Sequence, residues 1–145
     1  MIRTALIIAA LALTSVVSAP AFASTENYVV QTLNAQRAKH GVHAVKPHRD
    51  LMAAAEAHAR DMARNSFMSH TGTDGSNVGQ RVRKQGFCYR YVNENIATGF
   101  RHPEPVMTGW YNSPGHKRNS LSRKATHYGF AAVDRSWVLV LGRPC

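Results

Sequence analysis

Cysteine is scarce in this chain. The two present, Cys88 and Cys145, form no C-x-x-C pair, so nothing marks a dithiol redox centre. Acidic residues are also few, 8 Asp and Glu against 18 Lys and Arg. No H-E-x-x-H occurs to mark a helix-borne zinc protease, and no G-x-S-x-G to mark a serine hydrolase of the nucleophile-elbow type. Past residue 23 there is no apolar run of membrane-spanning length, no internal repeat and no linker. These absences leave one basic domain without a ready-made catalytic motif.

The N-terminus is the part set aside first. Arg3 supplies a positive start, residues 5–17 an apolar stretch diluted by Thr14 and Ser15, and Ala21-Phe22-Ala23 a small-residue cleavage site before Ser24. That is the pattern of a secretory signal peptide over residues 1–23, shorter in its apolar core than a membrane span. The domain is then residues 24–145, exported to the periplasm or the extracellular space. Arg3 is the one charged residue in the leader, so the formal charge of the remainder falls by only one from +10. In an exported protein that excess points to anionic envelope components or to solubility, and nucleic acid is not expected as a partner. The basic residues are scattered except at Arg81-Val82-Arg83-Lys84 and Lys117-Arg118, and these read as solvated surface. An oxidising compartment predicts a Cys88–Cys145 disulfide, a structural staple contributing about 4 kcal/mol by loop closure.

Along the chain, residues 25–39 read as a helix stopped by Gly41. His40, His43 and His48 border the loop that follows, at a spacing that fits no standard zinc pattern. Pro47 opens the clearest helix, residues 48–64, with Leu51, Ala55, Ala59 and Met62 at helical spacing and His58 beside that stripe as a packing residue. Residues 67–76, rich in glycine and small polar side chains, read as a loop that holds a side chain over a pocket. Asp74 or Ser76 is expected to cap a helix carrying Val78 and Val82 and ending at Gly86. Residues 87–97 read as a strand that places Glu94 on the parity of Val92 and Ile96, where a carboxylate needs a cation, a metal or good donors. Residues 103–111 form a short helix presenting Val106, Met107 and Trp110 to the core. Residues 127–133 and 137–141 are strands around a turn at Asp134-Arg135. The second is continuously apolar, as a strand covered on both faces should be.

Residues 109–119, Gly-Trp-Tyr-Asn-Ser-Pro-Gly-His-Lys-Arg-Asn, combine an aromatic pair, a helix start and a histidine. Ser113 suits the cap and Pro114 the first helical position, which puts His116 at the third. An imidazole there is biased towards its neutral, metal-binding form.

Six segments in order carry a family resemblance: Leu33-Asn34-x-x-Arg37; Leu51-x3-Ala55-x2-His58-Ala59-x2-Met62; Phe67-x-Ser69-His70-x-Gly72-x-Asp74-Gly75-Ser76; Glu94-Asn95-Ile96-Ala97; Gly109-Trp110 with Ser113-Pro114-Gly115-His116-x2-Asn119; and Tyr128-Gly129-Phe130. The chain resembles the CAP superfamily, the SCP-like domains of cysteine-rich secretory, antigen 5 and pathogenesis-related 1 proteins, in its short bacterial form. The resemblance implies an α+β fold, a three-layer α/β/α sandwich with a central, mostly antiparallel sheet covered by helices on both faces. It implies a cleft with two histidines and acidic residues, often binding a divalent metal such as Zn2+, and no organic cofactor. Carried over position by position, the cleft residues are His70, Glu94 and His116, with Ser69, Asn95 and Ser113 on its rim. The second cleft glutamate of many family members falls where this chain has Ser113, and the spacing of Glu104 does not recommend it as a substitute. The expected function is a monomeric, non-enzymatic binding module for a metal, a small amphipathic ligand, an envelope component or a protein partner. The alternatives are a metal-dependent hydrolase of peptide, peptidoglycan or ester bonds, and a lipid- or sterol-binding protein.

Overall fold

The computed structural model describes residues 21–145. Most of the expected leader lies outside the described residues, and its Ala21-Phe22-Ala23 end falls in the first turn of α1 (Ala21–Lys39). The order continues β1 (Lys46–Pro47), α2 (Arg49–Asn65), α3 (Val78–Lys84), β2 (Tyr89–Thr98), α4 (Pro103–Asn112), α5 (Pro114–Ser120), β3 (His127–Val133) and β4 (Ser136–Pro144). The strands form one sheet in the order β1-β3-β4-β2. β1 runs parallel to β3, and the two longer pairings, β3 with β4 and β4 with β2, are antiparallel. No described helix is long and apolar enough to cross a membrane.

The period-2 alternation of β4 divides the core in two. Trp137, Leu139 and Leu141 face Val29 and Leu33 of α1 and Val106, Met107 and Trp110 of α4. Val138 and Val140 face Leu51, Ala55, Ala59 and Met62 of α2 and Val82 of α3. The continuous apolar run therefore has the expected cause: helices cover both faces of the sheet, giving three layers. The β3–β4 turn is tight, with Asp134 and Arg135 both at positive φ (43° and 66°), the backbone conformation by which a two-residue hairpin turn matches the right-handed twist of its strands. Gly129 lets α2 lie close on β3, because a Cβ there would collide with the backbone of Leu51.

Several local expectations are corrected. Pro47 belongs to β1, where it pairs with Tyr128, and His48 caps α2 by accepting from the Asp50 amide. The cap of α3 is Asn77, whose side chain accepts from the Gln80 amide while Gln80 accepts from the Asn77 amide. Asp74 instead accepts from the Ser76 amide within the preceding loop. Cys88 and Cys145 are bonded, with their Cα atoms 5.5 Å apart, and join the start of β2 to the end of β4.

Candidate functional site

β2 is an edge strand, and the residues expected in the cleft gather around its middle. Glu94 pairs in register with Val140 and so faces the α2–α3 layer, while Asn93 and Asn95 face the α4–α5 layer. The carboxylate of Glu94 is 2% exposed. Such a group needs compensation, and it has two partners: Arg81 Nη2 donates to Oε2 at 2.7 Å, and His70 Nδ1 donates to Oε1 at 2.8 Å. The ion pair with Arg81 is buried, whereas the His70 ring is 59% exposed and lies at the surface above it.

Arg81 is the functional residue that sequence reasoning missed. Its place in the run Arg81-Val82-Arg83-Lys84 read as solvated surface, yet it is buried and only its neighbours Arg83 and Lys84 are exposed. A signal was present. Val78, Arg81 and Val82 share a helix face at i, i+3 and i+4, so a helix burying the two valines must bury the arginine as well.

The loop carrying His70 is fastened along its length. Arg81 Nη1 donates to the carbonyls of His70 (3.0 Å) and Ser76 (2.7 Å). Asp61 of α2 accepts from the amide and the hydroxyl of Thr73. His58, expected only to pack, also holds the loop, since its Nε2 donates to the Ser69 carbonyl at 2.8 Å. Its Nδ1 is buried without a hydrogen-bond partner among the described residues, and burial is the largest cause lowering its pKa. The Ser69 hydroxyl accepts from the Thr71 amide, which shapes the turn that presents His70.

His116 arrives from the other side of β2. Ser113 ends α4 and begins α5, and Pro114 occupies the first helical position as expected. The Ser113 hydroxyl makes no bond to a backbone amide of α5. It bonds His116 Nδ1 at 2.8 Å, a side-chain pairing across the same three-residue span as a capping box. Burial, and after it the charge of nearby His70, push the His116 imidazole below its ordinary pKa. Asn95 was expected on the rim; it is 1% exposed and works beneath α5. It donates to the His116 carbonyl (3.1 Å) and Ser120 Oγ (3.1 Å) and accepts from Asn119 Nδ2 (2.9 Å). Asn119 also donates to the Glu94 carbonyl, at 3.1 Å.

The far end of α5 is held by Arg37, which is fully buried. Its guanidinium donates to the carbonyls of His43, Ser120, Ser122 and Ala125 at 2.7 to 3.1 Å. Asn34, one turn earlier, closes a two-bond bridge with the backbone of Val45. Through these contacts Asn34 and Arg37 tie α1 to the loop before β1 and to the segment between α5 and β3.

The donor set decides what a metal could use here. Both oxygens of Glu94 are already committed, so the carboxylate supports His70 rather than standing free as a third ligand. Among the described residues no group of three or more His, Cys, Asp or Glu is placed to hold an ion. The remaining donors are the Nε2 atoms of His70 and His116, each ring being fixed through Nδ1. Glu104 is exposed in the first turn of α4. His40, His43 and His48 are engaged separately, with the Gln36 carbonyl, the Ala125 carbonyl and the Asp50 amide.

A three-layer sandwich with two histidines held on either side of an edge-strand glutamate defines an SCP-like domain. The profile of CAP, the Cysteine-rich secretory protein family, matches residues 30–139, and the chain belongs to that family. YkwD of Bacillus subtilis (strain 168) is 33% identical over 118 residues, 81% of this chain and 46% of that protein. YlbC of the same organism, named a membrane protein, is 27% identical over 114 residues, 79% of this chain and 33% of its own. The chain thus spans less than half the length of either relative. Among solved structures, an extracellular SCP-domain protein from Bacillus anthracis str. Ames superposes with a TM-score of 0.81 at 23% identity, covering 84% of this chain and 41% of that one. An outer surface protein from Borrelia burgdorferi gives 0.75 at 22% identity, covering 84% and 94%. At such identities these two establish the fold.

Proposed function

We propose that the protein is an exported, non-enzymatic binding module whose two histidines take a divalent metal ion through Nε2. The observation that carries this reading is the pinning of both rings at Nδ1, His70 by buried Glu94 and His116 by Ser113. A carboxylate accepting from Nδ1–H fixes the tautomer that leaves the Nε2 lone pair free. His116 offers the same lone pair when its Nδ1–H donates to the Ser113 hydroxyl. The lowered pKa of His116 favours the neutral, ligating imidazole at neutral pH.

Two protein donors leave further coordination positions for water, an envelope component or a partner's side chain. That supports binding rather than catalysis, because Glu94, the one carboxylate beside the histidines, has both oxygens engaged and is poorly placed to serve as a free base. Export is supported by the N-terminal leader pattern and the disulfide. A zinc titration followed by thermal melting tests the reading: zinc raises the melting temperature of the wild type and not that of His70→Ala/His116→Ala. Equal shifts in both proteins defeat the assignment.

A further inference from the structure

The sheet has two edges, and they are closed differently. At the β2 edge side chains occupy the backbone: Asn119 donates to the Glu94 carbonyl and Trp110 Nε1 to the Ile96 carbonyl, each at 3.1 Å. At the β3 edge the two residues of β1 cover only the start, and the His48 amide extends that cover by donating to the Tyr128 carbonyl. The Phe130 amide then donates to Met52 Sδ at 3.1 Å. Even-numbered residues of β3 therefore turn their backbone groups away from β4, and Ala132 is the next of them. No hydrogen bond reaches its amide or carbonyl among the described residues. The stretch also lacks the usual edge guards, since Phe130-Ala131-Ala132-Val133 contains no lysine, proline or bulge. Beside it runs a groove of about 360 Å³ walled by Met52, Glu56 and Arg60, an i, i+4, i+8 stripe of α2.

From this arrangement we infer that the chain pairs with a second copy of itself along this edge, β3 against β3, antiparallel about a two-fold axis at Ala132. The two Ala132 residues then exchange amide and carbonyl bonds, as a hydrogen-bonded antiparallel pair does. Charge argues for a copy rather than an unrelated strand. The charged residues among the described walls of the groove are Glu56 and Arg60, so this face is neutral on a chain of formal charge +10. A two-fold axis reverses the stripe and brings Glu56 of each copy towards Arg60 of the other, which makes the face complementary to itself. Within one chain, Arg60 Nε and Nη2 both donate to Glu56 Oε1. Glu56 Oε2 and Arg60 Nη1 take no hydrogen bond among the described residues, and these are the atoms left to bond across the axis. Two backbone bonds and four surface charges hold a weak dimer, and the monomer expected from sequence is its dilute form. The inference stands whether or not the histidines hold a metal.

Sedimentation velocity from about 10 μM to about 1 mM tests it, with every variant expressed at full length and purified alike so that the N-terminus is common. The wild type passes from monomer to dimer within that range. Glu56→Arg and Arg60→Glu change the net charge in opposite directions, yet each weakens the dimer by roughly tenfold or more, because each sets like charges across the axis. Mixed in equal amounts, the two variants pair with each other as tightly as the wild type pairs with itself. The double variant Glu56→Arg/Arg60→Glu also pairs with itself. Both side chains are exposed, so these reversals leave the core untouched. Hydrogen exchange at the Ala132 amide slows in step with the dimer fraction. The inference is overturned by a wild type that stays monomeric throughout, by a dimer insensitive to both reversals, or by a mixture no tighter than its parts. An Ala132 amide that exchanges at one rate at every concentration overturns it as well.

Discussion

Removing the Glu94 carboxylate should expose how the site is built. Its partner Arg81 is 9% exposed at the side chain, and the two meet at 2.7 Å. Breaking such a pair from one side leaves a buried charge uncompensated, at a cost of about 3–5 kcal/mol. Two carbonyls, of His70 and Ser76, still solvate Arg81 in Glu94→Leu, which places that variant near 3 kcal/mol, the lower end of the range. Arg81→Met takes the donor from Oε2 of Glu94 and from both carbonyls, leaves the carboxylate only its bond from His70, and should cost as much or more. The double variant Glu94→Leu/Arg81→Met replaces the pair with apolar volume. It should be less destabilised than the sum of the singles, with a coupling of about 2 kcal/mol or more. Urea unfolding at pH 7, followed by the fluorescence of the buried Trp110 and Trp137, gives all four corners of the cycle. Single losses below about 1 kcal/mol, or singles that simply add, would refute the claim that this pair is the anchor of the histidine loop.

Acid should loosen the domain through His58. Its unfolded imidazole titrates near pH 6.5 and its folded one lower, so between the two values the unfolded state binds the extra proton. The stability it contributes is complete above about pH 6.5 and is lost as pH falls through the folded value. The melting temperature should fall between pH 7 and pH 5, and fall less in His58→Phe; parallel curves would contradict this. Gly129→Ala drives a methyl into the Leu51 backbone and should cost about 3 kcal/mol in chemical unfolding, where a loss below about 0.5 kcal/mol would mean that α2 shifts freely. Cys88→Ser/Cys145→Ser should lower unfolding free energy by about 4 kcal/mol, since the bridge closes a separation of 57 residues, and an unchanged midpoint would remove the staple from the account.

The layers were legible because period and burial agree. The run Trp137-Val138-Leu139-Val140-Leu141 has no polar face, so the strand needs cover on both sides, and α1, α4 and α2 provide it. His70, Glu94 and His116 could be named because motif spacing survives in one dimension. What those side chains bind could not be read so directly. The partner of Glu94 lies 13 residues back, on helix α3, inside a basic run whose composition suggested solvent. Ser113 was recognised as a cap, but the choice between a backbone amide and His116 Nδ1 depends on ring placement that no periodicity encodes. Asn95 was expected on the rim with the residues carried over by resemblance, although strand alternation sends it to the face opposite Glu94, under α5. β1, only two residues long and parallel to β3, falls below what alternation can detect.

The central claim is that His70 and His116 form one binding site, each presenting Nε2. Calorimetric zinc titration of the wild type beside His70→Ala and His116→Ala tests it most directly. The account predicts one ion per chain in the wild type and a loss of affinity of at least tenfold in each single variant. Binding that survives in both variants unchanged would contradict it.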